Sequence, residues 1–183
     1  KERIGVLKVP YTSSVGVRRM PTHIELPQNS EGLPSTATPE QKWAARIREE
    51  ANEYGTTTGR PRDINFLDLP LLRYNARMSG IEVLAATHLD IARKEDNIKV
   101  CTHYTNGNGE TVLPYQPGLV YLANVKPNYI ELPGWDGEAC RQAKSIDDLP
   151  ENALKFLAFT QARTGIPIVA ATTGPKRENL VAF

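Results

Sequence analysis

Eight consecutive residues, GTTTGRPR at positions 55–62, combine side chains that suit a small anion. This segment, here called the arginine loop, holds three threonines, two glycines and two arginines. Glycines let backbone N–H groups approach a ligand closely, hydroxyls donate hydrogen bonds, and guanidinium forks match carboxylates and phosphates. The composition therefore predicts an anion-binding loop, and a basic, solvated turn is the alternative.

A second candidate is the tetrapeptide THLD, Thr87 to Asp90, which closes a short apolar run. The carboxylate of Asp90 can accept hydrogen bonds from two adjacent N–H groups of a ring, a pair that guanine offers and adenine lacks. The segment TTGP, which begins at Thr172, follows another apolar run in the same manner. Both segments are candidates for contacts to a base, while an ordinary turn or helix cap is the alternative for each.

Capping residues and periodicity predict the helices that surround these candidates. A capping box at Thr38–Gln41 begins a helix that should end at Gly55. The apolar run after the arginine loop reads as a second helix, which Asp68 can cap and Gly80 should end. A third amphipathic helix is expected over residues 147–165.

Short apolar runs predict strands at Ile4–Val9, 81–90, 97–104, 110–115 and 166–172. The runs at 97–104 and 110–115 flank TNGNG, a strong hairpin signal. The run at 81–90 is nearly continuously apolar, as in a strand buried on both faces. Strands that alternate with helices predict an α/β sheet.

Ligands of open α/β sheets bind beyond the carboxyl ends of the strands. Three predicted loops begin at such ends: Ser13–Thr22, Thr87–Asp90 and Thr172–Arg177. We therefore expect them to converge with the arginine loop on one ligand, although they are far apart in sequence.

The composition excludes several classes of protein. The chain has 183 residues and a net charge of +1, so it lacks the basic surplus typical of nucleic-acid binding. No apolar run approaches the roughly 20 residues of a membrane helix, and no signal peptide opens the sequence. Because the first residues already read as a strand, we expect the chain to begin inside a larger protein.

The two cysteines, Cys101 and Cys140, are far apart and indicate a reduced, intracellular protein. Cys101 and His103 would share one face of a strand, which is a weak indication of a metal site. A buried, packed cysteine is the interpretation we favour, because no second pair of ligands follows.

Several motifs together resemble the C-terminal part of the adenylosuccinate synthetases: GTTTGRPR, ATHLD, IKVCTHY, LPGW, DLPENALKFLAFTQARTGIPI and TTGPKRE. They occur in that family's order and approximate spacing, from Ile4 onward, and are more specific together than any one alone. The resemblance implies an α/β fold related to the P-loop NTPases, with a central mixed sheet flanked by helices. It also implies that residues 1–183 are a single C-terminal portion of a larger purine-nucleotide ligase, without its N-terminal phosphate-loop part.

Members of that family use GTP and Mg²⁺ to phosphorylate the 6-oxygen of IMP, and the amine of L-aspartate then displaces the phosphate. The resemblance assigns aspartate to Thr56, Thr57, Thr58, Gly59, Arg60 and Arg62, IMP to Val15 and Arg60, and the nucleoside triphosphate to Arg62, His88, Leu89, Asp90, Thr172, Thr173 and Gly174. It places the catalytic groups and most Mg²⁺ ligands in the N-terminal part, so the isolated chain should be inactive. It further implies a cytoplasmic homodimer with no nucleic-acid or membrane partner.

Two positions depart from the family pattern. His88 stands where the family usually has lysine, and Asp63 stands where a basic residue normally follows the second arginine. Both changes favour, as an alternative, the phage-type relative that joins aspartate to GMP or dGMP and can use ATP or dATP. A nucleotide- or partner-binding module without catalysis is an alternative of another class, although retention of both Arg60 and Arg62 argues against it. We expect Trp135 to pack rather than to bind.

Overall fold

The computed structural model describes residues 3–16, 20–27, 32–112 and 115–183, and this part of the chain forms nine strands and five α-helices. The strands are β1 (Ile4–Lys8), β2 (Tyr11–Ser14), β3 (Asp63–Asp68), β4 (Val83–Thr87), β5 (Asn97–Thr105), β6 (Thr111–Val112), β7 (Lys126–Pro133), β8 (Ile168–Thr172) and β9 (Leu180–Ala182). The helices are α1 (Pro39–Glu50), α2 (Leu69–Ser79), α3 (Leu119–Asn124), α4 (Gly137–Gln142) and α5 (Glu151–Thr164). The expected α/β class is confirmed, with the strands divided between two mixed sheets.

The first sheet has the strand order β1-β4-β8-β9. Strands β1, β4 and β8 are parallel, and β9 returns antiparallel to β8. Because parallel strands run in one direction, their last residues, Lys8, Thr87 and Thr172, lie at the same edge of the sheet. Strand β4 lies inside the sheet and is largely buried, as its apolar run predicts.

The second sheet places β3 between an antiparallel β2 and a parallel β5. The hairpin predicted from TNGNG is present but short, since β5 pairs with only two residues of β6. Residues 113 and 114 of the predicted second strand lie outside the described part. The longer partner of β5 is β7, which periodicity did not reveal because KPNYIELP contains two prolines and is half-exposed on both faces.

The predicted capping residues are confirmed. The N–H of Gln41 donates to Thr38 Oγ1 at 3.2 Å, and Asp68 caps α2 by accepting from a backbone N–H of its first turn. Gly80 and Gly165 end their helices with left-handed φ angles of +62° and +72°, which glycine adopts at little cost.

Two predicted helix limits were wrong. Helix α1 ends at Glu50 rather than at Gly55, because Asn52 takes a φ of +50° and turns the chain. The N–H of Glu53 then donates to the carbonyl of Arg48 at 2.8 Å. The helix expected over residues 147–165 also begins later, at Glu151, because residues 146–148 form a separate 3-10 turn. The second helix begins after Asp68 as predicted, and the six residues before it, 63–68, form β3 between two neighbouring strands.

The largest apolar cluster joins strands of both sheets to α5. Trp135 packs there as expected, with its ring 5.2 Å from that of Phe156, and its Nε1 donates to the carbonyl of Leu89 at 2.8 Å. This hydrogen bond fixes the segment that follows β4. None of the helices in the described ranges is long and apolar enough to cross a membrane.

Candidate functional site

The loops after β4 and β8 line a common cavity of about 620 Å³, here called the strand-end cavity. His88 and Asp90 line it from the first loop, and Thr172 and Gly174 line it from the second. The structure thus brings these two loops together, as their position at the ends of parallel strands predicts. Of the remaining predicted loop, Ser13–Thr22, the first two residues belong to β2, and residues 17–19 lie outside the described residues.

Two of the predicted nucleotide residues support the cavity from behind. Leu89 and Thr173 are both 0% exposed. The backbone N–H and the hydroxyl of Thr173 donate to the carbonyl of Asn179 at 2.9 and 3.2 Å. Gly174 passes so close to this turn that a Cβ would lie 2.7 Å from Asn179 Oδ1. The TTG sequence therefore fixes one wall of the cavity.

His88 is held in a left-handed conformation, with a φ of +68°. Its Nδ1 lies 2.9 Å from Thr87 Oγ1, and its ring meets that of Tyr11 edge-on, with the centroids 5.9 Å apart. Burial lowers the pKa of His88, and the positive charge of Lys8 lowers it further. The nearby carboxylates of Glu53 and Asp90 act in the opposite direction but do not outweigh these two effects. The imidazole is therefore mainly neutral at pH 7 and offers the cavity a flat, uncharged surface.

Asp90 already has a partner in the structure. Its Oδ2 accepts a hydrogen bond from Arg141 Nε at 3.3 Å, and the Asp90 side chain is only 10% exposed. Arg141 is half-exposed, lines the same cavity and also pairs with Glu138 at 3.0 Å. Sequence reasoning missed Arg141 because nothing local connects α4 with the loop after β4. The sequence feature that reflects this packing is Gly137, because a Cβ at that position would lie 2.2 Å from the carbonyl of Asp90.

The arginine loop is a narrow turn that is fixed at its base and exposed at its tip. Backbone hydrogen bonds join Gly55 N to Arg60 O at 2.8 Å and Arg62 N to Glu53 O at 2.9 Å. The residues between them, 56–60, are all exposed. The threonine side chains of the tip are therefore exposed to solvent, whereas the N–H groups of Gly59 and Arg60 donate within the loop, to Gly55 O at 2.8 Å and to Thr58 Oγ1 at 3.4 Å.

The two arginines of this loop differ in their surroundings. Arg60 is exposed at the tip, and its guanidinium has no hydrogen-bond or ion-pair partner among the residues that the structure describes. The Nη1 of Arg62 donates to Glu53 Oε2 at 2.9 Å, and the Arg62 side chain is only about one-third exposed. Within the described part of the chain, Arg60 can therefore meet an anion without losing a protein partner, while Arg62 is already held by a carboxylate.

The remaining predicted residues lie near the arginine loop rather than at the strand-end cavity. Val15 is 74% exposed and follows Ser14, which pairs with Asp63 at the end of that loop. Gly59 has a left-handed φ of +63° and, with Pro61, lines a second cavity of about 670 Å³. The described residues that line this second cavity differ from those that line the strand-end cavity.

Neither cysteine forms part of a metal site in the described part of the chain. Cys101 is buried, and its Sγ donates to the carbonyl of His103 at 3.5 Å. Burial also raises the pKa of Cys140 to about 12, so its thiol is protonated and unreactive. No group of three or more His, Cys, Asp or Glu side chains among the described residues could hold a metal ion.

Comparison with known proteins identifies what this arrangement is similar to. The profile of the adenylosuccinate synthetase family matches residues 1–181. The adenylosuccinate synthetases of Lactobacillus acidophilus and Acetivibrio thermocellus are each 40% identical to the chain over 180 residues. Each match covers 98% of this chain and 38% of the relative, so the chain spans about two-fifths of these relatives' length.

A solved structure gives the same result for the fold. The structure of fully ligated adenylosuccinate synthetase from Plasmodium falciparum superposes with a TM-score of 0.84 at 27% identity. The match covers 100% of this chain and 40% of that one.

Proposed function

Because this chain belongs to the adenylosuccinate synthetase family, we propose that it forms the C-terminal part of a ligase that joins L-aspartate to the 6-position of IMP. GTP hydrolysis drives the reaction, which leads towards AMP. The observation that supports this most is the strand-end cavity, where segments from two distant parts of the chain meet. The proposed whole enzyme is a cytoplasmic homodimer.

The arginine loop binds the carboxylates of L-aspartate in this proposal. Thr56, Thr57 and Thr58 supply hydroxyl and backbone donors, and Gly59 allows the backbone to turn over the ligand. Arg60 supplies a fork that suits a carboxylate and also reaches the IMP ribose, close to Val15. The exposure of Arg60 supports this role, because its guanidinium gives up no partner among the described residues when the ligand arrives.

The strand-end cavity binds the base of the nucleoside triphosphate. Asp90 accepts hydrogen bonds from the adjacent N–H groups of guanine, and the neutral ring of His88 packs on the purine. Thr172 and Gly174 form the opposite wall, supported by Leu89 and Thr173 from behind. Arg62, at the inner end of the arginine loop, lies on the triphosphate side of the bound aspartate.

Mg²⁺ and the groups that act on the purine are assigned to the remainder of the enzyme. The described residues contain no cluster of ligands suited to a metal ion, so this part of the chain does not fit the ion by itself. The 183-residue chain alone should release no phosphate from GTP or ATP in the presence of IMP and aspartate, because this proposal assigns the phosphate loop and the general base to the remainder of the enzyme.

One observation favours a second candidate, the phage-type ligase that joins aspartate to GMP or dGMP with ATP or dATP. Arg141 already occupies one oxygen of Asp90, and an Asp–Arg pair presents both an acceptor and a donor to the cavity. The edge of adenine carries a donor and an acceptor in the same way.

A chimaeric enzyme tests both candidates. This chain would replace the corresponding C-terminal residues of the Lactobacillus acidophilus synthetase, and product would be measured by chromatography for each pair of acceptor and triphosphate. Adenylosuccinate formed from IMP and GTP is the expected result. Because the groups that act on the acceptor purine come from the Lactobacillus part, the chimaera decides between the candidates through the triphosphate. Product from IMP with ATP alone would assign the second candidate, and a folded chimaera that forms no product with either triphosphate would refute both.

A further inference from the structure

A buried carboxylate lies directly behind the arginine loop. The side chain of Glu53 is 1% exposed, and three side chains from separate segments donate to it. Its Oε2 accepts from Arg62 at 2.9 Å, and its Oε1 accepts from Tyr11 Oη at 2.5 Å and from the ammonium group of Lys8. These four residues are called the Glu53 cluster.

The charges of the Glu53 cluster keep the carboxylate ionised. Burial opposes ionisation, but the hydrogen bonds from Lys8, Tyr11 and Arg62 outweigh it and lower the pKa of Glu53. One negative charge then lies between two positive charges. Without the carboxylate, the cationic groups of Lys8 and Arg62 would face each other without compensation, a costly arrangement in a partly buried site.

The backbone leaves Glu53 little freedom to move. Its N–H donates to the carbonyl of Arg48 at the end of α1, and its carbonyl accepts from the N–H of Arg62. Arg48 Nε also donates to the carbonyl of Arg62 at 3.1 Å, so the backbone of Arg62 is held from two sides. Among the described residues, Glu53 is the only one whose side chain accepts a hydrogen bond from the Arg62 guanidinium.

The same carboxylate also connects the arginine loop with the strand-end cavity. Lys8 is the last residue of β1 and pairs in register with Thr87, directly before His88. Tyr11, which is fully buried, meets the His88 ring edge-on. Glu53 therefore contacts both Lys8 and Tyr11, which lie between the arginine loop and the strand-end cavity.

We infer that Glu53 is a positioning residue of the proposed ligase, which orients the guanidinium of Arg62 towards the ligand. This inference rests on the proposed function of Arg62. Glu53 itself touches no substrate, because its carboxylate is enclosed by its three partners. Loss of a partner that orients a metal ligand reduces activity about 10- to 100-fold, and we expect an effect of the same order for a carboxylate that orients a ligand-binding guanidinium.

A double-mutant cycle in the chimaeric enzyme separates positioning from general stabilisation. Glu53→Gln should lower kcat/KM for aspartate and for the triphosphate about 10- to 100-fold in the parent. In an Arg62→Leu background it should change them less than about threefold, because the residue it orients is gone. If the losses in kcat/KM caused by Glu53→Gln and by Arg62→Leu multiplied in the double variant, the inference would be overturned. Glu151→Gln, which removes an exposed carboxylate paired with Lys155, should leave both values unchanged.

A second variant covers the case in which Glu53→Gln does not fold. Glu53→Asp keeps the charge but shortens the side chain by one methylene, which withdraws the carboxylate from Arg62. Glu53→Asp should lower kcat/KM in the parent but change it little in the Arg62→Leu background. A Glu53→Asp enzyme with the full kcat/KM of the parent would overturn the inference.

A spectroscopic measurement distinguishes failure of this inference from failure of the proposed function. In protein labelled with ¹⁵N-arginine, the guanidinium signal of Arg62, assigned by its loss in Arg62→Lys, should shift and exchange faster in the Glu53→Gln and Glu53→Asp variants. An unchanged signal would refute positioning even in an active ligase. A shifted signal in a chimaera without ligase activity would support positioning and refute the proposed function.

Discussion

The arginine loop and the strand-end cavity present their polar groups in opposite ways. The loop carries its candidate ligands on eight consecutive residues, with an exposed tip above a base that Glu53 holds. The cavity is assembled from four distant segments, within residues 50–52, 87–91, 141 and 172–175, and buried residues such as Leu89 and Thr173 fix its walls. A small charged ligand can be met by an exposed tip with a fixed base, whereas a flat ring needs walls that exist before it binds.

The largest expected effect tests the exposed half of this comparison. In the chimaeric enzyme, Arg60→Leu should raise KM for aspartate and lower kcat, because it removes the fork that binds a carboxylate. Loss of a charge-assisted pair costs about 2 to 5 kcal/mol, or about 30- to several-thousandfold in kcat/KM. Steady-state kinetics at saturating IMP and GTP provide the measurement. Arg60→Lys should lose less, and an unchanged kcat/KM in Arg60→Leu would remove aspartate binding from the loop.

A smaller effect is expected at the preformed cavity. Asp90→Ala should cost GTP about 1 to 3 kcal/mol, or about 5- to 150-fold in kcat/KM, while an adenine ring that does not use the carboxylate should lose little. The ratio of kcat/KM for GTP and ATP is the quantity to measure. Asp147→Ala, at an exposed acidic position, is the matched control. Equal losses for both triphosphates would contradict guanine recognition by Asp90.

Arg141→Ala should sharpen the preference of the cavity for guanine. The substitution frees Asp90 Oδ2, so both oxygens become available to the two N–H groups of guanine. An exposed ion pair contributes at most about 1 kcal/mol, so the GTP to ATP ratio should rise up to about fivefold. Glu138→Ala removes the other partner of Arg141 and should leave the ratio unchanged. A fall in the ratio for Arg141→Ala would instead assign Arg141 to direct contact with the base.

The smallest effect concerns the neutral ring in the cavity wall. The pKa of His88 is lower in the folded than in the unfolded protein, so the unfolded state binds more protons and stability falls as the pH drops through about 6.5. One such group contributes at most about 1.4 kcal/mol per pH unit, and partial exposure reduces this further. Urea unfolding between pH 7.5 and 5.5 should show a weaker pH dependence in His88→Asn, since asparagine tolerates the left-handed φ. An unchanged slope in His88→Asn would contradict the buried, neutral imidazole.

Local signals in the sequence were sufficient for part of this structure. Thr38, Asp68 and Gly165 act as helix signals through contacts with residues a few positions away, and the structure confirms them. The loops after β4 and β8 could be placed together because parallel strands bring their carboxyl ends to one edge. Each of these inferences needed only short-range or topological rules.

The residues that sequence reasoning missed depend on contacts between distant segments. Arg141 reaches Asp90 only because α4 packs on the loop after β4, and Glu53 reads as an ordinary acidic residue after a helix until Lys8 and Tyr11 surround it. The end of α1 was misplaced for the same reason, since the turn at Asn52 directs Glu53 into this cluster. No local pattern carries such information.

The hydrogen bond from Trp135 to Leu89 gives the molecule a built-in optical probe. The indole is 1% exposed, and its Nε1 contacts the residue directly before Asp90, so its emission should respond when the adjoining cavity fills. The chain has one other tryptophan, Trp43, stacked 5.6 Å from Phe66 in a different apolar cluster. Replacing Trp43 by phenylalanine would leave a single fluorophore, through which occupancy of the cavity could be followed without a label on either nucleotide.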